Sequence, residues 1–429
     1  MIEKLKTALL ALLVCSSMVQ SYLLAFHSNG MQEMLQEEYV ETETIGTPLS
    51  AESMLFPQQI VLHLDPETRT VLYPEFYFYE RIFEDLKEWT FQGLRRTFES
   101  PAFFRQQKRA LPSVELQFVS GLPLQIFEVF RPVGADPEPV YDRVSAMWLV
   151  LSENRDDVDV YLINDTDTTV YEVEITNLPV AKVEEYLGWG AIQPRYRVAG
   201  GSLYVPEDDM SMHRLLFKYS SISSEQMEIM LFPDPGITRN LPTRDGTEIY
   251  SDGKRGLQIK RDQLWMVYTD PIASLGEESD LRSDLGAAVQ FVNQRGGWNG
   301  NFRIDYIAPS VTDKGRRYVF RQFVSSLSGA HPILEQPGHM FGHVAVSLQR
   351  GMVSEYERSL IMIEEKPMTR TPHVLPGGDE LQRRLENYPN PDRIAAVFPA
   401  YKPVITPEYV ELSPVWAIEL TNGIMLELP

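Results

Sequence analysis

Among 429 residues there is a single cysteine, Cys15. No intramolecular disulfide can form, so disulfide scaffolds, thiolate zinc sites and iron–sulfur clusters are excluded. Positive charge is also scarce: 39 basic residues stand against 60 acidic ones, a net charge of −21. Such a surface repels phosphate backbones, and no local basic cluster offsets it, which argues against nucleic-acid binding.

The motifs of common chemistries are missing too. Gly188-Trp189-Gly190 lacks the third glycine of a dinucleotide turn. Gly253-Lys254-Arg255 lacks both the earlier glycine and the Ser or Thr that would hold magnesium in a phosphate loop. No G-x-S-x-G nucleophile elbow occurs, and Ser251-Asp252-Gly253-Lys254 matches S-x-x-K only across an Asp-Gly turn. His339 and His343 are four apart, but no Glu follows His339, and His343 opens an alternating, strand-like run. On a strand, such a pair lies about 13 Å apart, too far to share a metal. Asp165 and Asp167 start a calcium-like loop that then has Val170 and Thr176 where Gly and Glu are needed. Glu207-Asp208-Asp209 and Glu277-Glu278 read as solvated loop and helix-start charge. No catalytic, cofactor or metal residue is assigned, no cofactor is expected, and nothing points to an enzyme.

What the chain does have is a folding composition, 43% hydrophobic and 11% aromatic, and more length than one ordinary core uses. Residues 7–26 carry no charge and span about 30 Å as a helix, the thickness of a bilayer's hydrocarbon core. Lys4 and Lys6 precede them, and the acidic run Glu33, Glu37, Glu38, Glu41 and Glu43 follows. This flank asymmetry predicts a cytoplasmic tail (1–6), a transmembrane anchor (7–26) and an exterior remainder. A cleaved signal peptide fits less well, because Leu23-Leu24-Ala25 puts a large residue where a small one is required. Within the anchor, Ser16, Ser17, Gln20 and Ser21 fall within an arc of about 140°. Polar side chains in hydrocarbon gain from cross-helix hydrogen bonds of about 0.6 to 2 kcal/mol, so this face is the candidate contact with a partner helix.

The exterior reads as an α+β protein of mostly antiparallel sheets with packed helices. A juxtamembrane segment (27–54) leads into three α+β domains, 55–140, 141–274 and 275–429. Helices are predicted at 77–98, 179–187, 224–231, 280–294 and 379–388, and a hairpin around Gly121 from 114 to 130. Strands containing Trp265 and Trp416 end the last two units, which suggests a duplication.

Taken whole, the pattern resembles the YycH family, single-pass membrane proteins of Gram-positive bacteria that regulate the WalK (YycG) sensor histidine kinase of the WalK/WalR system. The resemblance rests on Ser21-Tyr22-Leu23-Leu24-Ala25, Glu38-Tyr39-Val40 with Ile45-Gly46, the run from Leu55 to Leu64, Trp148-Leu149-Val150-Leu151, Phe398-Pro399-Ala400-Tyr401-Lys402-Pro403, and Leu412-Ser413-Pro414-Val415-Trp416. These segments occur in the same order along nearly the whole chain, and the composition resembles the Paenibacillus-type branch. The resemblance implies a three-domain exterior with its last two domains related, the partner YycI, and a complex of both with the kinase at the membrane. It brings no catalytic residues. In the family's best-known members regulation runs through the transmembrane helices and restrains the kinase; in some relatives the sign is activating. Two other readings stand beside it, a membrane-tethered binding module for a peptide or wall polymer and an exported hydrolase.

Overall fold

The computed structural model describes residue 6, residues 45–126, 143–271 apart from 165, 167, 261 and 263, and residues 280–308, 315–336 and 340–429. Residues 44–429 form one compact unit. Its first nine strands are β1 (Gln59–His63), β2 (Arg69–Leu72), β3 (Phe91–Arg96), β4 (Ser113–Pro123), β5 (Arg143–Leu151), β6 (Val158–Asn164), β7 (Val170–Ile175), β8 (Tyr196–Gly200) and β9 (Leu203–Pro206). They make one sheet in the order β3-β7-β6-β5-β4-β1-β2-β8-β9. Next come β10 (Met210–Ser221), β11 (Arg239–Pro242), β12 (Thr247–Ser251), β13 (Gly256–Lys260) and β14 (Trp265–Thr269). After them follow β15 (Asn301–Ile307), β16 (Arg316–Ser326), β17 (Gly329–Pro332), β18 (His343–Gln349) and β19 (Met352–Ser359). The last are β20 (Ile361–Ile363), β21 (Thr369–Leu375), β22 (Ile394–Ile405), β23 (Tyr409–Leu420) and β24 (Met425–Glu427).

A second sheet joins β10 to β20–β24, and a third runs β11-β12-β13-β14-β19-β18-β16-β15 with β17 beside β16. Every ladder among the described residues is antiparallel; one isolated parallel bridge links Ile333 to Tyr401. The α+β, antiparallel expectation therefore holds. The domain boundaries do not follow the sheets. The expected break at 140/141 falls between β4 and β5, which pair directly, and the break at 274/275 separates β14 from its partner β19. Strand pairing is nonlocal, so strands on either side of each expected boundary pair within one sheet. The two tryptophan strands, β14 and β23, lie in different sheets.

Six α-helices occur among the described residues: α1 (Tyr77–Leu86), α2 (Pro101–Lys108), α3 (Val180–Gly190), α4 (Ser224–Leu231), α5 (Leu281–Gln294) and α6 (Gly378–Glu386). In α1, Tyr79, Ile82, Phe83 and Leu86 recur at helical spacing and are buried against the first sheet with Val183, Tyr186 and Leu187 of α3. Each such side chain contributes about 1.5 to 3 kcal/mol by leaving water. The helix expected to reach residue 98 stops at Leu86. Trp89 and Phe91 stay buried, but Gly93 takes a left-handed φ of 64°, and the chain turns into edge strand β3, bulged between Gln92 and Arg95 against β7. The hairpin expected around Gly121 is instead one long strand, β4, paired to β5.

The opposite face of the first sheet is covered by α2, whose Phe104 packs on Ala146, Trp148 and Val150. Helix α5 lays Leu285, Ala288, Val289 and Val292 on the third sheet, in a core continuous with the first sheet's. Pro399 and Pro403 fall in β22, an end strand where a missing N–H is tolerated.

Candidate functional site

The expected partner-contact residues Ser16, Ser17, Gln20 and Ser21 lie outside the described residues, as does the whole anchor, 7–26. Among the described residues, no helix is long and apolar enough to cross a membrane. The first described stretch, however, bears on how an N-terminal segment is coupled to the body. Residues 46–49, in the expected juxtamembrane segment, are sewn onto α5 and the turn after it. Gly46 N–H donates to Gly296 O at 2.7 Å, and Thr47 and Trp298 exchange both backbone bonds, at 3.0 and 3.1 Å. Asn293 clamps the same strap: its Nδ2 donates to Leu49 O at 2.8 Å, while its Oδ1 accepts from Leu49 N and from Trp298 Nε1. Trp298 is 1% exposed and edge-packed on Phe320. A Cβ at Gly46 would lie 2.4 Å from Trp298 O, so only glycine permits this approach. Residues 46–49 are thereby fixed to α5 and to the turn that leads into the third sheet.

A second constellation is polar and sealed. His63 at the end of β1 and Glu115 on β4 are both 0% exposed. His63 Nε2 lies 3.0 Å from Glu115 Oε2, and the Tyr204 hydroxyl, from β9, donates to the same oxygen. Gln117 Nε2 donates to Glu115 Oε1 at 2.8 Å. Arg109 donates to the Tyr204 hydroxyl at 3.3 Å, and the His63 ring stacks on Trp148 at 4.8 Å between centroids. Burial lowers the pKa of His63 despite the opposing hydrogen bond and charge of Glu115. For Glu115 burial acts upward, but the hydrogen bond and charge of His63, then Arg109 and Gln117, hold the carboxyl below its usual range. The neutral ring thus serves as an Nε2–H donor to a carboxylate, and its Nδ1 has no hydrogen-bond partner among the described residues. The arrangement has the ingredients of acid–base chemistry, but no access: it fastens the β8–β9 hairpin to β1 and β4.

The other sequence candidates behave as turns or core. Ser251 to Arg255 is the β12–β13 turn, with Gly253 at φ 87° and Asp252 accepting from Lys254 N and Arg255 N. His343 does begin a strand, but it is buried with neither ring nitrogen hydrogen-bonded among the described residues, so it is neither satisfied nor exposed. Its carboxylate neighbour Glu335 is 3.9 Å away. His339, Asp165 and Asp167 lie outside the described residues. No three His, Cys, Asp or Glu side chains among the described residues are placed to hold a metal.

Two family models cover this architecture almost end to end. The N-terminal domain of YycH protein matches residues 3–188, and its C-terminal domain matches residues 201–427. The chain belongs to the YycH family. The residues between the two matches, 189–200, run from the end of α3 through β8, and β9 with Tyr204 lies within the C-terminal match. A YycH relative from Bacillus subtilis (strain 168), the two-component system WalR/WalK regulatory protein YycH, is 20% identical over 448 residues, covering 99% of this chain and 96% of the relative. The crystal structure of YycH from Bacillus subtilis has the same fold, with a TM-score of 0.70 at 18% identity, over 90% of this chain and 98% of that one.

Proposed function

We propose that this chain is a membrane-anchored accessory regulator of a WalK/YycG-type sensor histidine kinase. The observation that carries the reading is the end-to-end match to a WalR/WalK regulatory protein. Residues 7–26 anchor the chain with its N-terminus in the cytoplasm of a Gram-positive cell and the body outside. Ser16, Ser17, Gln20 and Ser21 form the face that meets a kinase helix, in a complex that also holds YycI, and the output bears on cell-wall homeostasis.

The mechanism is a population shift. A kinase that signals by moving its transmembrane helices has two arrangements a few kcal/mol apart, and a helix that packs better on one of them favours it. One or two interhelical hydrogen bonds of about 1 kcal/mol each change the ratio several-fold. The strap at 45–49 supports a route by which the body adjusts the helix, since it leaves no slack between residue 45 and the third sheet.

Co-purification of the tagged full chain with the kinase from detergent-solubilised membranes tests this, beside a variant in which all four polar residues are Leu. The native chain retrieves the kinase and the variant retrieves at most about a tenth as much. Equal retrieval by both moves the contact to the exterior body, and no retrieval by either removes the regulator reading.

A further inference from the structure

We infer that a cavity at the meeting point of the three sheets binds a lysine-bearing apolar peptide segment from a partner polypeptide. This goes beyond the regulator reading and does not depend on it. The cavity holds about 330 Å³, within the usual range for a small-ligand site. Its walls come from β2 and β8 of the first sheet (Val71, Tyr73, Tyr196), from the start of β10 in the second (Met210), and from the β16–β17 turn of the third (Leu327, Ser328).

The floor is aromatic and rigid. Tyr73 and Tyr196 are buried, and the ring of His331 braces Tyr73 from behind at 5.0 Å between centroids. His331 is itself tied to Ser328 at the cavity edge, Nε2 to Oγ at 2.8 Å. Leu327 is 67% exposed at the mouth, an apolar side chain presented to solvent instead of folded into the core.

The rim fixes the sign of the occupant. Asp208 and Asp209 line the cavity, and no Lys or Arg does. One Asp209 oxygen is taken by the backbone N–H of Gly377 at 2.9 Å, while Asp208 is exposed and has no partner among the described residues. The acidic run Glu207-Asp208-Asp209, which as sequence looks like solvated loop charge, therefore borders an aromatic hollow. An alkyl chain ending in an ammonium fits both parts: its methylenes cover the accessible apolar lining of Phe76, Met210 and Leu327, and its head reaches the carboxylates. The excess of negative charge on the whole chain, −21, steers a cationic segment toward it.

The full-length protein in detergent, titrated with Leu-Lys-Leu amide carrying its fluorophore on the N-terminus and with its norleucine counterpart labelled likewise, provides the test. The lysine peptide binds saturably at concentrations below about 1 mM, and the uncharged peptide binds at least about threefold more weakly. Asp208→Asn and Leu327→Ser each weaken the lysine peptide about threefold to fivefold, and both sit at exposed positions that folding does not need. Glu153→Gln, an exposed carboxylate elsewhere, changes nothing. Equal binding of the two peptides, unchanged affinity in both rim variants, or no saturation by about 1 mM overturns the inference. So does a concentration-dependent dimer that Leu327→Ser abolishes, which would make a second copy of the chain the occupant. Kinase retrieval and peptide binding are separate measurements, so the two readings fail independently.

Discussion

His63 and His343 are both strand residues sealed from water, in the first and third sheets, and they keep opposite company. His63 faces a carboxylate that takes its N–H, a tyrosine hydroxyl on the same oxygen, and an indole face. His343 faces Arg321, its register partner on β16, with Arg317 beside it, a tryptophan ring at 5.9 Å, and Glu335 beyond hydrogen-bond range at 3.9 Å. Burial disfavours the charged ring at both. The difference lies in what each ring is for. At His63 the neutral imidazole donates to a fully buried carboxylate; at His343 it fills space. Burial alone cannot tell a fastening from a filler, and the groups across the sheet can.

The largest expected effect comes from breaking the first of these. Glu115→Ala removes the acceptor of His63 and Tyr204 together and leaves two buried donors unpaired, while Gln117 Nε2 keeps Ser202 O at 3.2 Å. A loss of about 3 to 5 kcal/mol is expected, read as a lower midpoint of urea unfolding for the full chain in detergent. Because the network fastens the β8–β9 hairpin, protease cleavage near Gly200-Gly201 should rise in the same variant. A fall below about 1 kcal/mol would mean that water replaces the carboxylate and that the network does not fasten the hairpin.

These features differ in how far the sequence discloses them. Helix α4 is legible to its ends because its signals are local: Ser223 and Gln226 form a reciprocal capping box. Helix α5 is equally legible, since Asp280 caps it by accepting from Arg282 N and Ser283 N. Strand β3 is not legible as such, because the helical period of α1 runs on through Trp89, Gly93 and Leu94, and only pairing with β7, about 80 residues away in sequence, decides otherwise. Sheet membership is hidden for the same reason: β10 pairs β21 and β23 across most of the C-terminal half. The His63–Glu115–Tyr204 network joins residues 52 and 89 positions apart, which no spacing rule covers. A weak signal was present. Glu115 and Gln117 alternate with apolar residues on β4, which gives that strand one apolar and one polar buried face, and Gln59 and His63 end β1 on a face they share with Val61.

Acid titration sharpens the comparison at the next scale. Burial pushes His331 and His343 down to about 3, against about 6.5 in an unfolded chain. The folded chain then binds fewer protons than the unfolded one, so this contribution is intact above about pH 6.5 and is lost as pH falls toward 3. Each histidine steepens the loss by about 1.4 kcal/mol per pH unit. His63 acts with the same sign. The carboxyl of Glu115, held below its usual range, loses its contribution only below about pH 4.5. The interval from about pH 6.5 to 5 therefore isolates the histidines. Unfolding midpoints across that interval should flatten by one histidine's share in His343→Gln and in His331→Gln; an unchanged slope would mean that the rings are protonated in the folded protein.

The smallest effect is the most discriminating. His343→Leu at pH 7.5 replaces a neutral ring, whose nitrogens have no hydrogen-bond partner among the described residues, by a side chain of similar bulk. No hydrogen bond to a described residue is lost and a desolvated polar pair is removed, so stability should change by less than about 1 kcal/mol, in either direction. The same substitution at His63 strands the Glu115 carboxylate without its N–H donor and should cost clearly more. Calorimetry of the two variants side by side reads the difference directly. If His343→Leu costs as much as His63→Leu, then His343 has a polar partner of its own, and the Glu335 carboxylate, which needs to move less than 1 Å to bond it, is the group to substitute next.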